Sequence, residues 1–561
     1  MTSEAPLVKN RRSRFVQLCV LVIWSVLAAR LLHVQYFSQE VFASRALRQQ
    51  VSHETISARP GDILDRKGRL LATTISVPSL YVNPSRISEP SQVAAKLSEV
   101  FELDEQKFIS KIEKNRKRQF LWIKRHLTPE QGEMILKLGL PKDQVHLRQE
   151  FKRFYPQDSL AAHVIGLRDI DGIGRGGAEQ SFNKYLTGTD GKRQFVRDAR
   201  GNVLEILEEV TQPPENGKTV ALTIDTVLQL HTEQALDELL VEHNPVGVCA
   251  IVLDPNNGEI LAMASRPAFH PDHAGSATSG AWKNLAISAV YEPGSTFKPL
   301  VVGWGLDRGL LKHDEKFHCE WGKYQMGRRL LHDHHPYGDL GLVDVLVKSS
   351  NIGMAKIGER LGNEQLFSMA TSFGFGKKTG VELAGEVAGL LRPLRAWDGY
   401  STGSIPMGHE LAVTPLQMIS AHAILANGGR KISPHLLLKT NHKTPQPQQV
   451  VVSRIINSKV AKWVVENPML EVVERGTGKK AQLENYSVFG KTGTAQKVNP
   501  NGGYYSNKNV CSFICGAPAE KPRILVLVCV DEPRGSSQFG GTVAAPVASK
   551  ILEKCLKTLG E

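Results

Sequence analysis

Disulfide chemistry has little to work with in this chain. Only seven cysteines, Cys19, Cys249, Cys319, Cys511, Cys515, Cys529 and Cys555, are spread over 561 residues. The number is odd and none sits in a C-x-x-C pair, which excludes a disulfide scaffold and leaves buried thiols as the expectation. Cys511 and Cys515 stand four apart without a histidine or further cysteine nearby to complete a tetrahedral zinc set, so no metal is expected. Basic runs interleaved with aromatics also read as missing, and no nucleic-acid partner is expected despite a formal net charge of +13. That charge is left to an anionic membrane face or an acidic polymer. There is no internal repeat and no low-complexity tract. A formal G-x-G-x-x-G occurs at Gly172, Gly174 and Gly177, but no apolar strand leads into it. The dinucleotide reading fails on that context, and Asp171–Gln180 reads as a flexible loop. Long hydrophobic runs are limited to one, at the N-terminus.

What is present is a globular composition, 41% hydrophobic and 22% charged, in a chain long enough for two or three domains. The single apolar run, Phe15 to Ala29, is short for a bilayer span, but it reaches the required length through Phe37 if Arg30 snorkels. No small-x-small cleavage site follows, so the expectation is a retained anchor and not a removed signal peptide. Lys9, Arg11, Arg12 and Arg14 hold the first end in the cytoplasm. Residues 1–14 are then a cytoplasmic tail, 15–37 a transmembrane anchor in the inner membrane, and the rest lies outside the cytoplasm.

Beyond the anchor, Ala58–Thr74 reads as extended with turns at Pro60-Gly61 and Lys67-Gly68, and 91–140 reads as helical from Val93, Leu97, Val100 and Phe101. A linker, Gln212–Lys218, marks a boundary, giving domains 38–215 and 216–561. After it come a helix capped by Asp225, two strands joined by Pro-Asn-Asn-Gly, and a helical middle. Two further strands, around Tyr486–Val498 and Arg523–Pro533, precede a terminal helix. A sheet assembled from both ends of the domain, with helices on one face and a helical insert, makes the fold class α+β and multidomain.

The chemistry is concentrated in three short stretches. In "EPGSTFKPL", Ser295 and Lys298 stand one helical turn apart, just after a Pro-Gly turn. A helix start favours negative charge developing at the serine, and Pro299 is tolerated only near such a start. A lysine made neutral by burial or a nearby cation could deprotonate the serine. S-x-x-K alone is a common accident on solvated helices. Here it is followed, in order, by Ser349, Ser350 and Asn351 and then by Lys491, Thr492, Gly493 and Thr494, matching the S-x-x-K, S-x-N and K-T-G elements of penicillin-interacting enzymes. Another cluster, His332, Asp333, His334 and His335, lacks metal-binding spacing and reads as a solvated loop.

With these motifs the chain resembles a class B penicillin-binding protein, a membrane-anchored D,D-transpeptidase, over nearly its whole length. "ARPGDILDRKGRLLA", "HVIGL" and "GAEQSFNKYLTGTDGKR" resemble the pedestal of that family, with Pro60 standing where arginine-glycine is usual. "AVTPLQMISAHAILANGG" and "FGGTVAAPV" resemble its later landmarks. The resemblance implies a dimerisation-type pedestal over 38–215 and a transpeptidase domain over 216–561. It gives Ser295 as nucleophile, Lys298 as base, Ser349 as proton shuttle and Asn351 as orienter of Lys298 and the substrate amide. Lys491 supplies positive field, Thr492 and Thr494 hold the substrate carboxylate, Gly493 lets the peptide lie along the strand edge, and the N–H groups of Ser295 and Thr494 form an oxyanion hole. Implied ligands are peptidoglycan stem peptides ending D-Ala-D-Ala, and beta-lactams; no cofactor is implied.

No glycosyltransferase domain precedes the pedestal, which argues against the bifunctional class. "LLRPLRAWDGYSTGSIPMGHELAVTPLQM" and "HDHHPYGDLGLVDVLVKSSNIGMAKIG" resemble the division and sporulation branch, and the chain ends without the C-terminal repeats usual in the sporulation type. The division type, a septal synthase, implies a SEDS-family glycosyltransferase and other divisome membrane proteins as partners. The alternatives are an elongation-type transpeptidase, a beta-lactam sensor or beta-lactamase using the same serine, and a non-enzymatic septum scaffold. No deacylation base of the kind a lactamase needs is identifiable.

Overall fold

The computed structural model describes residues 8–197, 203–206, 211–441, 453–535 and 537–560. They divide into two compact units. The first draws on residues 1–58 and 188–216. It contains helix α1 (Val8–Leu32), which continues as a π-helical turn, His33–Phe37. The 27 residues Arg11–Phe37 are long and apolar enough to cross a membrane. At 1.5 Å per residue they extend about 40 Å, so Arg11 and Arg14 fall near one end of any span. Strand Val51–Ile56 of the same unit pairs antiparallel with Gly191–Arg197.

The second unit comprises 59–187 and 217–561. In its first part, β1 (Leu70–Val82) lies between β2 (Leu121–Lys124) and β3 (Val145–Phe154), antiparallel to both, with α2 (Glu105–Lys114) among the helices packed on one face. Leu80, Val82, Leu97, Phe108 and Ile112 form the core between sheet and helices. The continuous helical reading of 91–140 is therefore corrected: helices Pro90–Ser98 and Glu105–Lys114 precede β2, and helix Pro129–Lys137 follows it. Trp122 and Ile123 favour a pleated surface, and the helical period that Val93 and Leu97 define belongs only to the first helix.

The segment read as a flexible loop is also ordered. Gly174-Arg175 form a short strand and Gly177–Ser181 a helical turn carrying Glu179. That carboxylate is fully buried and receives hydrogen bonds from Arg153 Nε at 2.5 Å and Arg168 Nε at 3.0 Å. Two buried guanidinium groups need such a counter-charge. Gly177, at φ +49°, lets the backbones touch, since a Cβ there would lie 2.4 Å from Gly166 N. The expected extended arm before it is present, with Gly61 close against Lys218; a Cβ would meet that carbonyl oxygen at 2.1 Å.

The remainder is built on one antiparallel sheet. Helix α3 (Thr226–His243) opens with Asp225 accepting from Val227 N–H at 2.9 Å, as its sequence requires. The hairpin of β4 (Gly247–Leu253) and β5 (Ile260–Arg266) follows. A largely helical insert includes α4 (Lys298–Asp307) and α5 (Asn351–Phe373). The chain then returns through β6 (Phe489–Val498), β7 (Tyr504–Ala517) and β8 (Ile524–Asp531), and ends in α6 (Ala545–Leu559). Spatial order is β5-β4-β8-β7-β6. α3 and α6 cover one face, with Leu236, Leu239, Ile551 and Leu552 against Val526, Val528 and Phe513. The insert covers the other. β7 escapes sequence reading because its polar first half and its fully buried second half share no period. β6 is an edge strand, open to pairing.

Candidate active site

The nucleophile candidate sits on a single 3₁₀ turn, Gly294–Phe297, which runs directly into α4. Hydrogen bonds of Glu292, Gly294 and Thr296 fix that turn. Glu292 accepts from Glu410 N–H at 2.9 Å and Tyr504 O–H at 3.0 Å, and its Oε2 lies 2.7 Å from His409 Nδ1. Gly294 takes φ +55° and its N–H donates to Gly408 O at 3.1 Å. Thr296 O accepts from the buried His422 Nε2 at 2.9 Å; desolvation drops the pKa of that imidazole to about 4, so it is neutral. Ser295 itself is half-buried, and among the described residues no group hydrogen-bonds its Oγ. Its hydroxyl is thus free to meet a ligand. Pro299 lies in the first turn of α4, where its missing N–H costs nothing.

Lys298 is completely buried. Its Nζ donates to Ser349 O at 2.7 Å, Asn351 Oδ1 at 2.9 Å and Ser350 O at 3.2 Å, and lies 3.3 Å from Ser349 Oγ. Loss of hydration pulls its pKa down to about 7, partly opposed by the negative charge of Asp333. Lys491 is equally buried, its Nζ 3.1 Å from the same Ser349 Oγ and 3.2 Å from Thr492 O. Burial, and then the nearby Lys298 charge, push its pKa far down. One hydroxyl therefore bridges two amines, and a positive charge on Lys298 disfavours one on Lys491. In the free site the three carbonyl-type acceptors favour the charge on Lys298.

Ser349 holds its position under strain. It has φ +57°, the left-handed region that a non-glycine residue adopts only when its surroundings impose it. The surroundings here are the start of α5. Ser350 Oγ caps Gly353 N–H at 2.9 Å and donates to Asp333 Oδ2 at 2.6 Å. Asp333 Oδ1 accepts from Asn351 N–H at 2.5 Å and Ile352 N–H at 3.1 Å. A carboxylate at a helix N-terminus is well placed electrostatically. Asp333 is thus not part of a solvated loop; it clamps the whole S-x-N turn. Asn351 Nδ2 donates to His332 O at 3.1 Å, so the amide is fixed with its oxygen toward Lys298.

On the facing edge strand β6, Thr492 and Thr494 project to one side and Lys491 and Gly493 to the other. Thr492 Oγ1 lies 2.8 Å from Thr477 Oγ1, and Thr494 Oγ1 accepts from Gly540 N–H at 3.0 Å. Its O–H proton is left free to donate. Packing also requires the glycine at 493. A Cβ there would strike Ser512 Oγ at 2.5 Å, Thr296 Cγ2 at 2.9 Å and Pro293 O at 3.0 Å. Its missing side chain seats β6 against the Ser295 turn.

Comparison with known proteins agrees with this geometry. The penicillin binding protein transpeptidase domain family matches residues 248–553, and the penicillin-binding protein dimerisation domain family matches 55–222. The chain belongs to the class B penicillin-binding proteins. It is 34% identical to a probable peptidoglycan D,D-transpeptidase, PenA, of Neisseria meningitidis, covering 99% of this chain and 94% of that one. Identity to the peptidoglycan D,D-transpeptidase FtsI of Escherichia coli is 30%, covering 96% and 90%. Identity to the stage V sporulation protein D of Bacillus subtilis is 33%, covering 98% and 86%. Among solved structures, a peptidoglycan synthetase from Bifidobacterium adolescentis superposes with a TM-score of 0.73 at 26% identity, covering 91% of this chain and 97% of that one. Penicillin binding protein 3 of Mycobacterium tuberculosis, complexed with aztreonam, gives 0.70 at 27%, covering 90% and 97%. This chain is a peptidoglycan D,D-transpeptidase.

In this penicillin-binding protein the residues singled out from sequence gather at one place: Ser349 touches both Lys298 and Lys491, Asn351 touches Lys298, and Thr492 lies beside Lys491. Sequence reasoning missed the residues that hold them. Asp333, Glu292, His422 and Thr477 carry no motif, and their partners are distant in the chain. Gly540 was legible only as part of the landmark "FGGTVAAPV". A Cβ on it would lie 2.3 Å from Gly493 O, so this landmark marks close packing against β6.

Proposed function

We propose that the enzyme cross-links stem peptides through an acyl ester on Ser295, and that it works at the division septum. The observation that carries the mechanism is the bridge Lys298 Nζ–Ser349 Oγ–Lys491 Nζ, at 3.3 and 3.1 Å, beside an unpartnered Ser295 hydroxyl. A stem peptide ending D-Ala-D-Ala pairs along β6, its terminal carboxylate between Thr492 and Thr494. That anion favours the positive charge on Lys491, which frees Lys298 to act as base. Ser295 Oγ attacks the penultimate D-Ala carbonyl and its proton passes to Lys298. The oxyanion is met by the N–H groups of Ser295 and Thr494, each donor worth about 3–4 kcal/mol. As the C–N bond breaks, a proton reaches the departing D-Ala amine through Ser349. The amine of a second stem peptide then attacks the ester, its proton goes to Lys298 and on to Ser295 Oγ, and the cross-link is released. A beta-lactam enters the same first step and stays as a stable ester.

The same reading keeps 15–37 as a single inner-membrane anchor, 38–215 as the pedestal and 216–561 as the catalytic domain outside the cytoplasm. A monofunctional cross-linker needs glycan strands from another enzyme, and a SEDS-family glycosyltransferase with other divisome membrane proteins fits that need. The division role is supported by the resemblance of 390–418 and 332–358 to the division and sporulation branch. The purified chain, given a thioester analogue of an acyl-D-Ala-D-Ala donor and a free D-amino acid, should form the transfer product, and Ser295→Ala should form none. Transfer at an undiminished rate by that variant refutes the mechanism. Depletion in the native cell should give filaments; rounded cells that still divide assign it to elongation instead.

A further inference from the structure

The face of β1–β2–β3 turned away from the helices carries an aromatic ladder that catalysis does not use. Leu80, Val82 and Val145 point into the core, so Tyr81 and His146 point outward by strand alternation. Tyr81 stacks on His146 with centroids 4.8 Å apart, lies 4.6 Å from Phe120 and meets Trp122 edge-on at 5.9 Å. Cross-strand aromatic pairs stabilise a sheet, and that accounts for Tyr81 and His146. It does not account for Phe120, which ends the stack 40% exposed. The turn leading into Phe120 carries Arg116, Lys117 and Arg118, all exposed and, among the described residues, without an acidic partner. Arg118 O accepts from Ser85 N–H at 3.2 Å, which sets this turn beside the end of β1. α2 adds Lys107, Lys111 and Lys114 along one face, and Lys111 Nζ donates to Trp122 O at 2.8 Å. Between Lys107 and Lys124 there are seven basic residues and one acidic residue, Glu113. This is a basic run interleaved with aromatics, and it corrects the expectation that the sequence has none.

We propose that this face of the pedestal binds an anionic glycan strand. The exposed ring of Phe120 with the neighbouring indole of Trp122 offers apolar surface for the C–H faces of sugar rings. Arg116, Lys117 and Arg118 pair with carboxylates carried on the strand. Charge complementarity argues for the occupant: a neutral glycan leaves the cationic turn unused, and an acidic peptide leaves the rings unused. The site would hold the polymer that bears the stem peptides while Ser295 works elsewhere on it, and it does not depend on the acyl-enzyme mechanism.

The probe is peptidoglycan glycan strands stripped of their stem peptides, which expose lactyl carboxylates and carry nothing for Ser295 to attack. The full chain in detergent should bind them saturably, and less tightly as salt rises. Phe120→Ser and the triple variant Arg116→Gln, Lys117→Gln, Arg118→Gln should each weaken binding at least tenfold while elution and melting profiles stay unchanged. A chitin oligomer of equal length should bind at least tenfold more weakly than the stripped strands. No binding, an affinity unchanged in both variants, or an equal affinity for polyglutamate or phosphatidylglycerol vesicles overturns the proposal.

Discussion

Burial of Lys298 should be visible as a limb in the pH dependence of acylation. The ammonium of a free lysine titrates at 10.5, and in this site at about 7. At pH 7 about half of the enzyme then carries a neutral amine, against roughly 0.03% for an unperturbed lysine, a gain in available base of about a thousandfold. The shift corresponds to about 5 kcal/mol of differential interaction, supplied by desolvation of a fully buried side chain. Its direction is settled by sign: below pH 7 the amine is protonated and cannot accept the Ser295 proton, and above it the base form saturates. The second-order rate of acylation by a fluorescent penicillin, measured by stopped flow from pH 5.5 to 9, should rise about tenfold per unit and level off near 7. Asp333 provides the second perturbation. Its negative charge holds the Lys298 pKa up, so Asp333→Asn should move the limb to lower pH. The plateau should also fall, because the clamp on Asn351 and Ile352 N–H is weakened. A rate still climbing steeply at pH 9, or a limb that moves to higher pH in Asp333→Asn, refutes the reasoning.

Other substitutions separate chemistry from architecture. Lys298→Arg should lose acylation by at least a hundredfold in the same assay, since a guanidinium stays charged and cannot act as a base. Gly493→Ala should lower the acylation rate at least tenfold, because a Cβ 2.9 Å from Thr296 Cγ2 and 3.0 Å from Pro293 O forces β6 off the Ser295 turn, an overpacking cost of about 1–3 kcal/mol. Glu179→Gln, far from the serine, should cost about 3–5 kcal/mol of stability by leaving Arg153 and Arg168 buried without a counter-charge, read as a drop in melting temperature.

What could be read in the sequence was whatever is local. Ser295 and Lys298, Ser349 and Asn351, and Lys491 through Thr494 are short motifs, and each stays together in the fold. α3 showed itself through its cap and its period, and the β4–β5 hairpin through its turn. The framework around the motifs was not legible, because it is made by long-range pairing. Asp333 reaches Ser350 across 17 positions and Glu292 reaches His409 across 117, and neither residue type announces such a role. Short elements misled in the same way: β2 has four residues amid helices, and the Glu179 turn looks like a glycine loop until its two arginine partners are in place. Gly493 was legible as part of K-T-G, but the surfaces packed against it, Ser512 on the neighbouring strand and Thr296 and Pro293 on a turn almost two hundred residues earlier, were not.

The central claim is that Ser295 is the atom-bearing centre of acyl transfer. Intact-mass measurement after incubation with benzylpenicillin tests it most directly. The account predicts a mass increase of one drug molecule per chain, stable over the measurement, located on the peptide containing Ser295 and absent in Ser295→Ala. An adduct of the same mass and stability on the Ser295→Ala chain contradicts it.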